Sequence, residues 1–302
     1  MPAIVSHYLL AQRVLADLEE LMPSLDIDRT AFIWGASGPD IFFCHNLRPY
    51  STKMHNTPAD MTLNFLVGYA RYKCSDIAMS YALGFITHYA FDSVAHPFIL
   101  YSSDVMSLRQ PHKHSSVCHN ELESALDSLF LRKEKKAHIS GFRLQDAAPL
   151  DKRLVNTVIS SVMQGTLLYL YSKETYRSDI FSAQKNWHYS LALLNDSFGL
   201  KYKFFSRAER LVHLPPLLSS LFRRDYPDIG FDPANMGHTK WINKTTGDEH
   251  SESFFDLADT AEDLSIKLIS KVISGRKLTP EDCAASFSGA KLIINNTEQA
   301  YS

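Results

Sequence analysis

The chain has 302 residues, 45% of them hydrophobic and 21% charged, with a formal net charge of −2. That composition is long enough for a sizeable core and typical of globular chains. It lacks the Lys/Arg excess of a duplex-binding protein. The four cysteines, Cys44, Cys74, Cys118 and Cys283, have no CxxC pairing and read as reduced thiols, not a disulfide frame.

Helical periodicity dominates from the start. HYLLAQRVLADLEELM (7–22) places Leu9, Leu10, Val14, Leu15, Leu18 and Leu21 on one stripe and stops at Pro23. Pro58 opens a second helix through NFLVGYARYK. A third is predicted from about Asp76 to Tyr101 and a fourth from about Ser116 to Lys136. A fifth spans about Asp151 to Ser172, with others near 185–195 and 199–222. A last long helix is SFFDLADTAEDLSIKLISKVI, from Ser253. Alternating runs joined by hairpin turns are lacking, so the fold expected is an all-α, irregular multi-helix bundle. Residues 223–250, rich in Pro, Gly and Asn, read as a long ordered loop able to act as a lid. The whole of 1–302 is expected to be a single domain, with a chemical core in about 1–136. The N-terminal segment has no basic n-region or cleavage site, and no stretch reaches the ~20 apolar residues of a membrane span. A cytoplasmic location is the expectation.

Histidine is concentrated early. Eight of thirteen lie in the first 120 residues. In GFITHYAFDSVAHPF, His88, Asp92 and His96 are four apart and therefore share one helix face. The next helix repeats the device with His119, Glu123 and Asp127 in HNELESALD. Leu83, Phe85, Ile86, Phe91, Val94 and Phe98 flank the first set, and an unpaired carboxylate among them would cost several kcal/mol. A metal removes that cost, as a hydrogen-bonded polar network also would. Two such helices facing each other build multinuclear centres in bundles. Nitrogen and carboxylate donors without thiolate suit zinc best, with iron or manganese as alternatives. His55, in MHNTP, is placed in a loop where it can complete a coordination shell, and His7 and Asp40 (in WGASGPDIFF) can support a further metal.

Other candidates carry less. His112 and His114 read as loop residues, and His45, His138, His188, His213 and His250 stay outside the constellation. His238, beside Trp241, is a candidate for substrate contact. HLPPLLSSLF (213–222) reads as core packing, with an apolar docking surface as the alternative.

Taken in order, SHYLLAQRVL, WGASGPDIFF, MHNTP, GFITHYAFDSVAHPF and HNELESALD resemble the zinc-dependent phospholipase C family over the first 130 residues. That family includes the secreted phosphatidylcholine-preferring enzymes and the catalytic domain of alpha-toxin, and this chain looks most like its leaner, signal-less prokaryotic members. The resemblance implies that His55, His88 and Asp92 hold one zinc, with Asp92 bridging to a second held by His119, Glu123 and His96. In the secreted enzymes the histidine corresponding to His96 follows the proline; here it precedes Pro97. His7 and Asp40 match side-chain ligands of a third zinc, with Asp40 also a general base. The secreted members complete that third site with a processed N-terminal tryptophan. Here Met1-Pro2 precede His7 and no tryptophan does, so two or three ions are expected. The calcium-dependent lipid-binding domain of alpha-toxin has no counterpart in the helical C-terminal third.

The function implied is a metal-dependent phosphoesterase acting on a phosphodiester, with a phospholipid head group as the expected substrate, through metal-activated water, with Asp40 and Asp92 as catalytic residues. Peripheral membrane contact is compatible with such a substrate. Single-strand nucleases share the same type of core, although the near-neutral charge and lack of an aromatic–basic groove disfavour nucleic acid. The remaining alternative is a non-enzymatic helical protein with structural metals that binds a partner or a membrane surface.

Overall fold

The computed structural model describes residues 4–111, 113–225, 229–287 and 289. Among them are ten α-helices: α1 (Ile4–Leu21), α2 (Arg29–Ala36), α3 (Arg48–Asn56), α4 (Ala59–Lys73), α5 (Asp76–Arg109), α6 (Ser115–Lys135), α7 (Arg153–Tyr171), α8 (Arg177–Leu194), α9 (Leu200–Leu211) and α10 (Phe254–Ile273). The architecture is all-α. Extended structure among these residues amounts to a two-residue antiparallel ladder in which Trp241 pairs with His250 and Ile242 with Glu249, inside the segment expected to be loop. Met1, Pro2 and His112 lie outside the described residues.

The organising element is α5. From Tyr81 to Asp92 every residue is buried, so no amphipathic stripe exists there. α1, α2, α4, α6, α7 and α10 all pack against it. The closest approach is with α2, where two glycines meet. A Cβ on Gly35 would lie 2.2 Å from Tyr81 O, and one on Gly84 would lie 1.9 Å from Phe32 O. Only hydrogen at both positions lets the two backbones touch. Helix starts are capped by side chains: Asp28 accepts from Ala31 N and Ser75 from Ala78 N, while Ser253 and Asp256 form a capping box on α10. On α1, Arg13 reaches Asp259 at 2.7 Å and also pairs with Glu262, tying α1 to α10.

Several boundaries depart from the sequence reading. α5 continues to Arg109, eight residues beyond Tyr101, with Pro97 inside it. α2 and α3 are short and carry no long apolar stripe, which is why periodicity passes over them. His55 therefore sits in the last turn of α3, not in a loop. The helix expected over 199–222 ends at Leu211, because Pro215 and Pro216 cannot continue it. The core packing expected of 213–222 holds only for its end: Phe222 is buried in the core, whereas Leu214, Leu217 and Leu218 are exposed.

Candidate metal centre

α5 and α6 carry five of the donors, and His7, Asp40 and His55 are each delivered by a separate local device. Ser6, at the start of α1, donates from both its backbone N–H and its hydroxyl to Asp127 Oδ1 on α6, each at 2.8 Å. That clamp fixes the next residue, His7, whose ring stacks on His88 with centroids 4.4 Å apart and whose Nε2 lies 3.1 Å from Asp92 Oδ1. Asp40 sits in a 3-10 turn (Gly38–Phe42) directly after α2. Gly38 there has φ +52°, and a Cβ on it would lie 2.2 Å from the His88 ring. The glycine thus serves both the left-handed turn and the space for the imidazole.

The imidazoles are oriented by their second nitrogens. His88 Nδ1 donates to Ala36 O at 3.1 Å and His55 Nδ1 to Ser51 O at 2.8 Å. Because a carbonyl only accepts, both rings carry their proton on Nδ1 and aim a bare Nε2 inward. This backbone anchoring of the far nitrogen is typical of metal-ligating histidine. His88 Nε2 then lies 3.3 Å from Asp92 Oδ2. His55 Nε2 lies 3.6 Å from both Asp92 Oδ2 and Asp40 Oδ1. One turn on, His96 Nδ1 lies 3.3 Å from Asp92 Oδ1, and its ring is parallel to that of His119 on α6. His119 Nε2 is 3.2 Å from Glu123 Oε1.

Three sets of donor atoms consequently converge: His7, His88 and Asp92; Asp40, His55 and His88; and His96, His119 and Glu123. His88 belongs to two of them. Asp92 uses both oxygens, Oδ1 toward His7 and His96 and Oδ2 toward His88 and His55.

Burial makes this arrangement expensive without a cation. Asp40 Oδ2, His88 Nε2, Asp92 Oδ2 and His96 Nδ1 are buried with no hydrogen-bond partner among the described residues. Two donors of one tetrahedral zinc, each ~2.0–2.1 Å from it, stand ~3.3 Å apart. The spacings here, 3.1 to 3.6 Å, bracket that value. The donor set therefore fits divalent ions.

The electrostatics agree. Burial works to raise the Asp92 carboxyl, but His96, His88 and His7 outweigh it and hold it well below the usual carboxylate range. Burial likewise works against ionised Glu123, yet positive neighbours including His119 and Arg223 bring it down to about 2. Both acids are anionic at neutral pH. His96 is pushed down by burial and by His119, which favours the neutral ring that coordination needs. His7, nearest to Asp92, moves up although burial opposes it. One carboxylate among several imidazoles favours protonation of the closest one.

Asp127, the third rung of the α6 ladder, belongs to none of the three donor sets. Ser6 occupies one of its oxygens, and Arg223 Nε lies 3.0 Å from the other. Arg223 is fully buried, with Nη2 3.7 Å from Glu123 Oε2. Sequence reasoning passed over it, although a buried third carboxylate should have prompted a search for a cation. It also passed over Phe287, which packs edge-on to His55 with centroids 5.9 Å apart; nothing in local spacing announces that contact. His238 pairs with Asp256 and Ser251 O, and His114 caps α6.

Solvent reaches the centre on the α6 side. His55, His96 and His119 are partly exposed, whereas the other donors are buried. His119 lines a cleft of about 740 Å³ whose walls include Arg48, Ser103, Asn120, Leu218 and Leu221.

Fold and site together define an all-α protein with three groups of His, Asp and Glu between its helices, each able to hold a metal ion. The family model for zinc-dependent phospholipase C matches residues 6–176, and the chain belongs to that family. The matched stretch contains all eight donors. Membership points to zinc and to metal-dependent phosphodiester hydrolysis. No curated protein and no solved structure matches the chain. Among the described residues no helix is long and apolar enough to cross a membrane.

Proposed function

We propose that the protein is a zinc-dependent phosphoric diester hydrolase whose substrate is a phospholipid head-group ester. The observation that carries this reading is the sharing of Asp92 between histidines of two donor sets, with His96 linking it to Glu123 on the neighbouring helix. His7, His88 and Asp92, then Asp40 and His55, then His96, His119 and Glu123 would hold the ions. When bound, the ions supply Lewis-acid charge against the phosphate oxygens and acidify water at the centre.

The chain's own groups do the rest. Asp40, whose Oδ2 is buried with no hydrogen-bond partner among the described residues, takes the proton from the attacking water. His55 Nε2, 3.6 Å from Asp40 Oδ1, would hold an ion together with that carboxylate. In-line attack forms a new P–O bond and breaks the one to the glycerol oxygen, which acquires its proton at the solvent end of the cleft. The cleft orients the substrate: Arg48 offers a cation to the phosphate, and Leu100, Leu218 and Leu221 offer an apolar wall to the glycerol side.

The test is metal analysis followed by hydrolysis of a chromogenic phosphocholine ester, a phosphomonoester and single-stranded DNA, with and without chelator. The expectation is about two or three zinc equivalents and chelator-sensitive cleavage of the choline ester above the other two. Cleavage that survives exhaustive chelation, or a clear preference for DNA, would overturn the proposal.

A further inference from the structure

We infer that α9 and the loop after it, residues 198–218, form a docking surface for an anionic lipid bilayer beside the mouth of the cleft. This rests on the phospholipid reading for the nature of the partner, and it lies outside the residues that the family model matches.

The segment displays apolar side chains that a water-facing helix would hide. Phe198, Leu211, Phe204, Val212 and Leu214 are 82%, 80%, 67%, 63% and 61% exposed. Leu217 and Leu218 extend the surface to the cleft, whose lining they join beside His119. Scattered exposed leucines need no explanation, but eight large apolar side chains exposed within 198–218, two of them lining the cleft, do.

Charge is sorted in the same segment. It holds four cations, Lys201, Lys203, Arg207 and Arg210, and a single acid, Glu209, in a chain whose overall charge is −2. Lys203, Arg207 and Arg210 are exposed, and none is ion-paired among the described residues. Glu209 is buried and turned inward, accepting from Leu218 N at 2.7 Å and from Ser219 N. No carboxylate of the segment is therefore exposed on its surface. Exposed apolar groups combined with unpaired cations fit the interface of an anionic membrane, where each Lys or Arg adds attraction and the apolar groups enter the head-group boundary.

The surface is also held in place relative to the chemistry. The Glu209 carboxylate and the Leu214 N–H···Glu209 O bond, at 2.9 Å, fold 209–219 into a fixed hairpin around Pro215 and Pro216. Ser220 Oγ then accepts from Asn120 Nδ2 at 2.9 Å, one residue from His119 on α6. A bilayer engaged by this patch would present its head groups at the solvent-facing side of the centre.

The test is co-sedimentation of the full chain with vesicles of phosphatidylcholine containing phosphatidylglycerol, and with vesicles of phosphatidylcholine alone. Leu211→Glu/Leu214→Glu and Lys203→Glu/Arg207→Glu are compared with the parent, each checked for unchanged circular dichroism. The parent should partition onto anionic vesicles, and each double variant should lose about tenfold or more. Cleavage of a soluble phosphocholine ester should stay within about twofold, since the substituted residues lie outside the donor sets. Equal partitioning of parent and variants would overturn the inference. So would failure of the parent to bind, or self-association through this patch without vesicle binding. Vesicle binding by a parent that cleaves no soluble ester would instead sink the proposed reaction and leave the docking surface standing.

Discussion

Arg223 Nε lies 3.0 Å from Asp127 Oδ2 with both side chains withdrawn from solvent. Burial raises the Asp127 carboxyl even with the guanidinium beside it, so the pair does not stabilise the fold by a wide margin. Removing one partner is another matter. Arg223→Met should cost about 3–5 kcal/mol by leaving a buried carboxylate uncompensated. Arg223→Met/Asp127→Leu should recover part of that loss in a denaturant titration. Equal stability of the single and double variants would contradict the account.

The glycines separate by what surrounds them. Gly38→Ala should lower zinc content and stability together, by about 1–2 kcal/mol for the left-handed backbone alone, with more from displacement of His88. Gly68→Ala is the counter-case. It lies within α4, and nothing stands within 4 Å of its added Cβ. That variant should gain about 0.5–1 kcal/mol. Thermal unfolding with metal analysis of both variants checks the contrast.

Asp92→Asn removes a charge that four imidazoles face. Metal affinity should fall by more than the ~10–100-fold that follows loss of an outer hydrogen-bond partner, and phosphodiester cleavage should fall with it. His114→Ala, which alters only a helix cap, should leave the metal content unchanged. Zinc titration of the two variants, side by side, decides.

Acid and base should destabilise the chelated protein on opposite sides. The Asp92 and Glu123 carboxyls titrate below their ordinary values, Glu123 from 4.5 to about 2. Their contribution is therefore complete above about 4.5 and is lost as pH falls toward 2. His7 is shifted the other way, so its contribution is complete below 6.5 and disappears as pH rises through its elevated value. Melting temperature in chelator should peak between these limits. His96 is shifted down and works against His7 around 6.5, so the alkaline limb carries the check: a melting temperature that keeps rising above about pH 8 would refute the assignment.

What could be read from the chain follows the physics of each element. The His88–Asp92–His96 ladder was legible because helical period alone puts residues four apart on one face, and its apolar flanks announced burial. The donors His7, Asp40 and His55 were legible through family likeness, since no spacing rule links three separate helices or turns. The Asp127 rung misled, because the same period that aligns it with Glu123 cannot reveal that Ser6 and Arg223 occupy it. The stretch after Leu211 misled for a different reason. Apolar residues suggested interior packing, and only tertiary structure shows which of them are left facing water.

α5 contributes His88, Asp92 and His96 from one uninterrupted helix. Successive donors on it are separated by a rise of ~6 Å that hydrogen-bonded backbone enforces. The spacing of the donors on α5 is accordingly set by helical pitch, while Asp40 and His55 come from a 3-10 turn and a helix end that this pitch does not govern. Any difference in ionic radius would therefore have to be met by the donors off α5, because the spacing along that helix cannot change without breaking backbone hydrogen bonds.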